Sequence, residues 1–449
     1  MRAFFCGLSL TEFMGKLTST WTIRWGGEDL AFDLPPIARV EDVSPAIGSI
    51  PGRMADRHEK KAVMRPIAAE LANQRGAIEK SARILVVSDD NTRVTPVKEL
   101  LPPVIAAARE MGKPVSIIVA GGSHRHMTRD EKREKFGAAI VDEITVLDHG
   151  WSDESTLVSF GRSRGGYEIK LARAACEHGT FLVGLGNIVP HRVCGFSGGY
   201  KILLPGLTCQ DTMNRIHYAS VAYPSERILG IARNPVRDAI NEIAQFRPID
   251  LLINTVLDGA SRIASLCLGD PVAAHYQGAT IAKEIYGVKV GAPADVVIAD
   301  AVPEHIDWWL CAKAATNCKS FVRPGGHLVL LAPCTEGWSP AHESILLKYG
   351  YHPSAEIDAM VKDGRISPAH LLEASHLAHV GEVLAHCRVH LVSDTLDKKA
   401  IGKQGFDVVR SRDFPALVHD LVAIQKETSP SRETHVKIVR RGSEILPIP

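Results

Sequence analysis

The chain has 449 residues, 45% of them hydrophobic and 23% charged, and 52 Lys+Arg against 51 Asp+Glu leave a formal net charge of +1. At ~100–200 residues per domain this is enough chain for two domains, each burying its own core. The balanced charge and an aromatic content of 6% exclude nucleic acid as a partner, because there is neither a cationic excess to neutralise phosphates nor a base-stacking platform.

Residues 1–20 read as an N-terminal extension: Glu12 and Lys16 interrupt their apolar run and no small-residue cleavage site follows. From Trp21 onward, short β-branched runs predict buried strands at Ile84–Val87, Val115–Val119, Phe181–Val183, Leu251–Val256, Val296–Ile298 and Leu328–Leu331. Between them, helical periodicity spans Val97–Met111, stopped by Gly112-Lys113-Pro114, and Glu304–Phe321, stopped before Pro324-Gly325-Gly326. Alternating strand and helix give an α/β fold with mainly parallel sheets. The expected organisation is an N-terminal α/β domain over 21–269, a linker over 270–292 with a helix at Pro271–Tyr286 and a hinge-like loop after it, and a C-terminal α/β domain over 293–449. Two such lobes would enclose the site in an interdomain cleft. No apolar run reaches the ~18–20 residues of a membrane span. Nine cysteines, dispersed without a CxxC pair, fit a reduced cytoplasmic protein better than a disulfide framework.

Polar clusters follow two predicted strands, where open α/β sheets collect their ligands. Ser88-Asp89-Asp90-Asn91-Thr92-Arg93 follows the first and Gly121-Gly122-Ser123-His124-Arg125 the second. Asp90 and Arg93 share one turn, where an arginine can clamp a carboxylate in bidentate fashion; a plain surface ion pair is the bland alternative. The densest stretch is Gly186–His217. It holds His191, a Ser197-Gly198-Gly199 turn, Lys201 and His217, with Ile202-Leu203-Leu204 demanding burial around them. This is no P-loop, since Tyr200 and Ile202 occupy the positions of the glycine and the magnesium-binding hydroxyl. Gly184-Leu185-Gly186 lacks the third glycine of the dinucleotide signature, so neither ATP nor NAD is supported. A Ser-Gly-Gly turn can still cradle phosphate, and partial burial would make Lys201 nucleophilic. The alternative is a solvated lysine behind a tight turn. His124, His191 and His217 suit acid–base work or metal ligation, against structural histidines in a chain with 19 of them.

Together these segments resemble the nickel-pincer cofactor-dependent lactate racemase family of 2-hydroxy acid racemases and epimerases. The resemblance runs from about Trp25 into the C-terminal third and is most specific at Asp90–Arg93, Gly122–Thr128 and His191–His217. It implies a nickel-pincer nucleotide, pyridinium-3,5-bisthiocarboxylic acid mononucleotide nickel, with His217 as the protein's nickel ligand and Lys201 as the lysine joined to the cofactor. Ser197, Gly198 and Gly199 would lie beside its phosphate, a role taken from the turn chemistry. The resemblance further implies His124 and His191 as the pair of catalytic bases, Asp90 and Arg93 on the substrate side with the arginine on the carboxylate, and Lys313 as a further substrate-facing lysine. The partner is then a small 2-hydroxy acid, oxidised to a planar 2-oxo acid by hydride removal and reduced on its other face.

Two departures stand out. Tyr200 replaces a smaller residue before the lysine, and Asp307-Trp308-Trp309-Leu310-Cys311-Ala312 is more apolar than its counterpart, pointing to a substrate other than lactate. Two alternatives remain: a cofactor-binding protein without turnover, and a zinc-dependent hydrolase on His124, His191 and His217, which lacks a closely spaced ligand pair.

Overall fold

The computed structural model describes residues 19–45 and 60–449. The expected extension over 1–20 lies outside them, except that Ser19 and Thr20 open the strand Ser19–Trp25. The described chain divides into two compact units: 60–287 with 340–381, and 19–44 with 288–339 and 382–449.

The first unit is built on a six-stranded sheet in the order Ile263–Gly269, Leu251–Leu257, Thr180–Asn187, Arg83–Ser88, Val115–Val119, Thr145–Asp148. Its pairs are parallel apart from Ile263–Gly269, which runs antiparallel to its neighbour. The central strands are apolar along their whole length because both faces are covered. Ile84, Val86, Ile117, Val183 and Ile253 pack with Leu100, Leu101 and Val104 of the helix Val97–Glu110 in one core. Full burial of each such side chain stabilises the unit by about 1.5–3 kcal/mol. That helix stops where expected, since Gly112 takes up a left-handed conformation at φ +64°.

The second unit carries a parallel six-stranded sheet in the order Phe406–Val409, Arg388–Val392, Val322–Leu331, Ala294–Asp300, Thr434–Val439, Ala38–Val43. Its core sets Val296, Ile298, Val329 and Val436 against Phe414, Val418 and Val422 of the helix Phe414–Thr428. The helix expected over 304–321 begins later, at Trp308, because the Asp307 side chain accepts the Leu310 N–H at 2.9 Å and caps it.

The α/β class with mainly parallel sheets is as the alternation predicts, whereas the chain is shared between the units differently from the contiguous division 21–269 and 293–449. Strand Ala38–Val43 pairs with Thr434–Val439, so 19–44 belongs with the C-terminal sheet. Residues 340–381 belong with the N-terminal one. Pro271–Tyr286 is helical with the expected bounds and capped by Asp270, yet it buries Ala274, Ala279, Ala282 and Ile285 and forms part of the first unit's core. The loop expected after it opens with a short strand, Gly287–Lys289, paired to Leu446–Ile448. Among the described residues no helix is long and apolar enough to cross a membrane, and the eight described cysteines are free thiols.

Candidate functional site

The loop after strand Arg83–Ser88 is tied down from inside. Asp89 receives the Thr95 hydroxyl and pairs with Lys135 at 2.9 Å, and the Lys135 ammonium also donates to the Arg93 carbonyl at 2.6 Å. This presents Asp90, itself buried, toward the next strand end. Asp90 Oδ1 accepts the Thr92 N–H and hydroxyl at 3.1 and 2.5 Å, while Oδ2 lies 2.6 Å from His124 Nδ1. Burial pushes this carboxyl up, but the His124 ring and the Arg93 guanidinium outweigh it and hold the group well below the usual carboxylate range. An ionised Asp90 fixes the Nδ1–H tautomer of His124, leaves Nε2 as the proton acceptor and stabilises the imidazolium once formed. Arg93 lines a cavity of about 460 Å³ together with Asn91, Lys98, Glu131 and Lys135.

His191 stands on a two-residue strand, Pro190–His191, paired antiparallel with Gly195–Phe196. Its Nδ1 accepts the Val193 N–H at 3.2 Å and lies 3.6 Å from Cys194 Sγ. The neutral ring therefore carries its hydrogen on Nε2, the reverse of His124.

The Ser-Gly-Gly turn that follows is sewn in on every side. Ser197 Oγ donates to Asn187 O at 2.7 Å and accepts the Val189 N–H at 2.9 Å; Gly199 N–H donates to Asn254 Oδ1 at 2.8 Å. The fully buried Arg237 donates to the Gly198 carbonyl at 3.1 Å and to the Phe196 carbonyl, and His275 Nε2 reaches the Ser197 carbonyl at 3.1 Å. At φ +77°, a Cβ on Gly198 would lie 2.6 Å from Ile188 Cγ1 and 2.7 Å from Asn254 Oδ1, so only glycine fits. The Ser197 hydroxyl and the Gly199 N–H are thus engaged inside the protein, and the visible work of the turn is to aim the next residues. Tyr200, a departure from the family pattern, turns inward and is buried. Lys201 follows within the 3₁₀ turn Gly199–Ile202.

His217 occupies the last turn of helix Gln210–Tyr218 and its Nδ1–H donates to the Met213 carbonyl at 2.8 Å. Burial lowers its pKa, and the nearby Lys201, Arg192 and His124 lower it further, to about 3. The ring is neutral near pH 7 and its remaining lone pair is on Nε2, as a metal ligand oriented by a backbone carbonyl requires. Lys313, in contrast, belongs to the second unit, where it is buried in an ion pair with Glu304 at 2.9 Å.

Four polar residues that the sequence reading passed over belong to the first unit. His342 donates from Nδ1 to Glu373 Oε1 at 2.9 Å and meets Ser123 Oγ at 3.4 Å; His376 Nδ1 accepts from Arg192 Nη2 at 2.9 Å; His379 Nε2 meets Ser220 Oγ at 2.8 Å. For three of them the signal available was the i, i+3, i+6 spacing of Glu373, His376 and His379 within an apolar helix.

The first unit of this α/β protein thus holds an aspartate-supported histidine, a second histidine, a lysine and a buried neutral imidazole. A family model described as the lactate racemase N-terminal domain matches residues 40–228, a span holding every predicted site residue except Lys313. Lactate racemase of Thermoanaerobacterium thermosaccharolyticum is 27% identical over 70% of this chain and 74% of its own length; that of Lactiplantibacillus plantarum is 26% identical over 86% and 92%. The structure of the lactate racemase apoprotein from the former organism superposes with a TM-score of 0.80 at 21% identity, covering 96% of this chain and all of that one. A crystal structure of a Thermotoga maritima protein gives 0.71 at 19% identity over 87% and 98%. Over residues 40–228 the chain matches the lactate racemase N-terminal domain, and over most of its length it is similar to lactate racemases.

Proposed function

We propose that the protein is an isomerase that racemises or epimerises a small 2-hydroxy acid at C2, using a nickel-pincer nucleotide held by His217 and Lys201. The observation that carries this reading is the setting of His217, a buried ring whose Nδ1 is fixed by Met213 O at 2.8 Å, so that its other nitrogen would be the one to meet a metal. These residues fit the cofactor: His217 would offer nickel a neutral imidazole, and Lys201 would hold the nucleotide. Among the described residues no group of three or more His, Cys, Asp or Glu side chains could hold a metal ion, which leaves the zinc hydrolase alternative without a ligand set.

When bound, the cofactor supplies a hydride acceptor and donor. The protein holds the substrate carboxylate through Arg93 and moves the hydroxyl proton. His124 takes that proton at Nε2, with the Asp90 carboxylate 2.6 Å from Nδ1 stabilising the cation. His191 serves the opposite enantiomer. Its neutral form donates from Nε2, and charging it displaces the Val193 N–H from Nδ1. The two bases therefore differ in what backs their rings, a carboxylate behind His124 and a backbone N–H behind His191. The buried turn Ser197-Gly198-Gly199 sets the backbone from which Lys201 reaches the cofactor. The paired bases argue against a binder without turnover, which has no use for them.

The decisive experiment is to load the full chain with the cofactor and incubate it with single enantiomers of a panel of 2-hydroxy acids and sugar acids. Chiral chromatography should show loss of optical purity for at least one, with nickel at one equivalent. Nickel without racemisation across the panel would leave the binder standing; zinc in place of nickel would favour the hydrolase.

A further inference from the structure

Helix Leu371–His386 comes from a part of the sequence remote from the site, yet its first turns hold polar side chains that should not be buried without purpose. Glu373, His376 and His379 are each at most 7% exposed, on positions three apart and so on one side of the helix. Each reaches a different segment of the site. Glu373 holds His342, which bonds to Ser123, the residue before His124. His376, kept neutral by burial and by the Arg192 charge, accepts from Arg192, the residue after His191. His379 donates to Ser220 Oγ, which donates onward to the carbonyl of His217 at 2.6 Å. The same segment secures the His217 helix twice more: Asn214 Nδ2 donates to the Ala369 carbonyl at 2.8 Å, and the Tyr218 hydroxyl to Asp358 Oδ1 at 3.0 Å.

We infer that this helix face is a positioning element with three arms, in which Glu373 through His342 places His124, His376 through Arg192 places His191, and His379 through Ser220 places His217. The energetic argument is one of alternatives. Apolar side chains at these three positions would bury the face without desolvating any polar group, whereas a satisfied buried network fixes a single arrangement of the groups it joins. A two-base racemase with a metal ligand needs such a fix, since a displacement of about 1 Å at one base can cost ~10²-fold in rate. The inference rests on the roles proposed above for His124, His191 and His217.

Three arms predict two separable phenotypes, one for the metal ligand and one for the bases, which a general packing role does not. In the cofactor-loaded full chain, His379→Ala should speed nickel release to a chelator by about ten-fold, the scale of effects on groups that orient a metal ligand. His379→Gln, which retains a donor, should restore most of the retention. Glu373→Ala and His376→Leu should leave nickel release at the wild-type rate while lowering kcat by about ten-fold, and Glu373→Gln, still able to accept from His342, should recover most of it. Ser220→Ala is a smaller change that preserves the helix, and should reproduce the His379→Ala release rate even where that variant folds poorly. Nickel release unchanged in both His379→Ala and Ser220→Ala would overturn the inference. So would an equal fall of kcat, nickel retention and melting temperature in all the variants. A wild-type protein that neither holds nickel nor racemises any substrate would instead overturn the proposed function, so the two failures are distinguishable.

Discussion

Two sheets of equal size put aspartates at the ends of their central strands, to different effect. In the first unit, strand Arg83–Ser88 runs into Asp89 and Asp90, and Asp90 spends one oxygen on its own turn and the other on an imidazole. In the second, strand Ala294–Asp300 contains Asp295 and Asp300, and neither meets a ring. Asp295 accepts from Arg323 Nε at 2.5 Å, Arg432 Nη1 at 2.6 Å and the His435 N–H at 2.9 Å; Asp300 Oδ1 accepts the backbone N–H groups of Arg441 and Val302 at 2.8 and 3.1 Å. Burial is common to all of them. What distinguishes a site from a staple is the partner: a titratable ring with its second nitrogen open can pass a proton on, while guanidinium and backbone donors only fasten the chain.

The comparison predicts that substitutions in the first unit remove activity and leave stability, and that those in the second do the reverse. The largest effects belong to the bases. His124→Ala and His191→Ala should each lower racemisation by about 10²–10⁴-fold, the range attributed to positioned acid–base groups, with nickel content unchanged. Chiral chromatography on the loaded variants measures the first and metal analysis the second; retained racemisation in either variant breaks the pairing. Asp90→Asn should follow at roughly 10²-fold, because the amide no longer stabilises the His124 cation.

How far these sites were legible from the sequence depended on how local their signals are. Strands such as Val115–Val119 and the helix Val97–Glu110 stood out because apolar periodicity and a Gly stop lie within a dozen residues. Asp90, His124, His191 and Lys201 drew attention because each falls in a strand-end or turn motif, and His217 because it closes the same dense stretch, on helix Gln210–Tyr218. The assignment of 19–44 to the second unit was not readable, since it depends on the register of Ala38–Val43 against Thr434–Val439 across the length of the chain. The arms from Glu373, His376 and His379 were missed for the same reason: their partners Ser123, Arg192 and Ser220 are remote in sequence, and polar residues in an apolar helix do not name what they touch. The tautomers of His124 and His191 depend on single hydrogen bonds that no pattern encodes.

Lys313 is the sharpest challenge to the comparison, because the resemblance gives it a role toward substrate while the structure buries it against Glu304 at 2.9 Å. Lys313→Ala should destabilise the protein, since it removes the cation 2.9 Å from a buried carboxylate. The double variant Lys313→Met with Glu304→Leu should recover most of that stability. If its racemisation also recovers, the lysine is a structural residue and the comparison holds; if stability returns and racemisation does not, the second unit contributes to the chemistry.

The smallest effect concerns Asp300, whose carboxyl burial pushes up to about 7 against the backbone donors that pull it down. A carboxyl raised in the folded state keeps its proton while the unfolded chain loses its own near pH 4. Folding stability attributable to this group is therefore present below about pH 4 and is lost as pH climbs to 7. Asp300→Asn preserves an oxygen for the Arg441 and Val302 N–H groups without the charge. The variant should match the wild type at pH 4 and exceed it at pH 8 by on the order of 1–3 kcal/mol in urea unfolding, given ~1.4 kcal/mol per pKa unit. A wild-type-like slope of stability between those pH values in the variant would show that Asp300 is ionised and fully satisfied in the fold. Asp300 would then act as Asp90 does, a buried charge kept by its partners, and the two strand ends would differ only in what those partners can do with a proton.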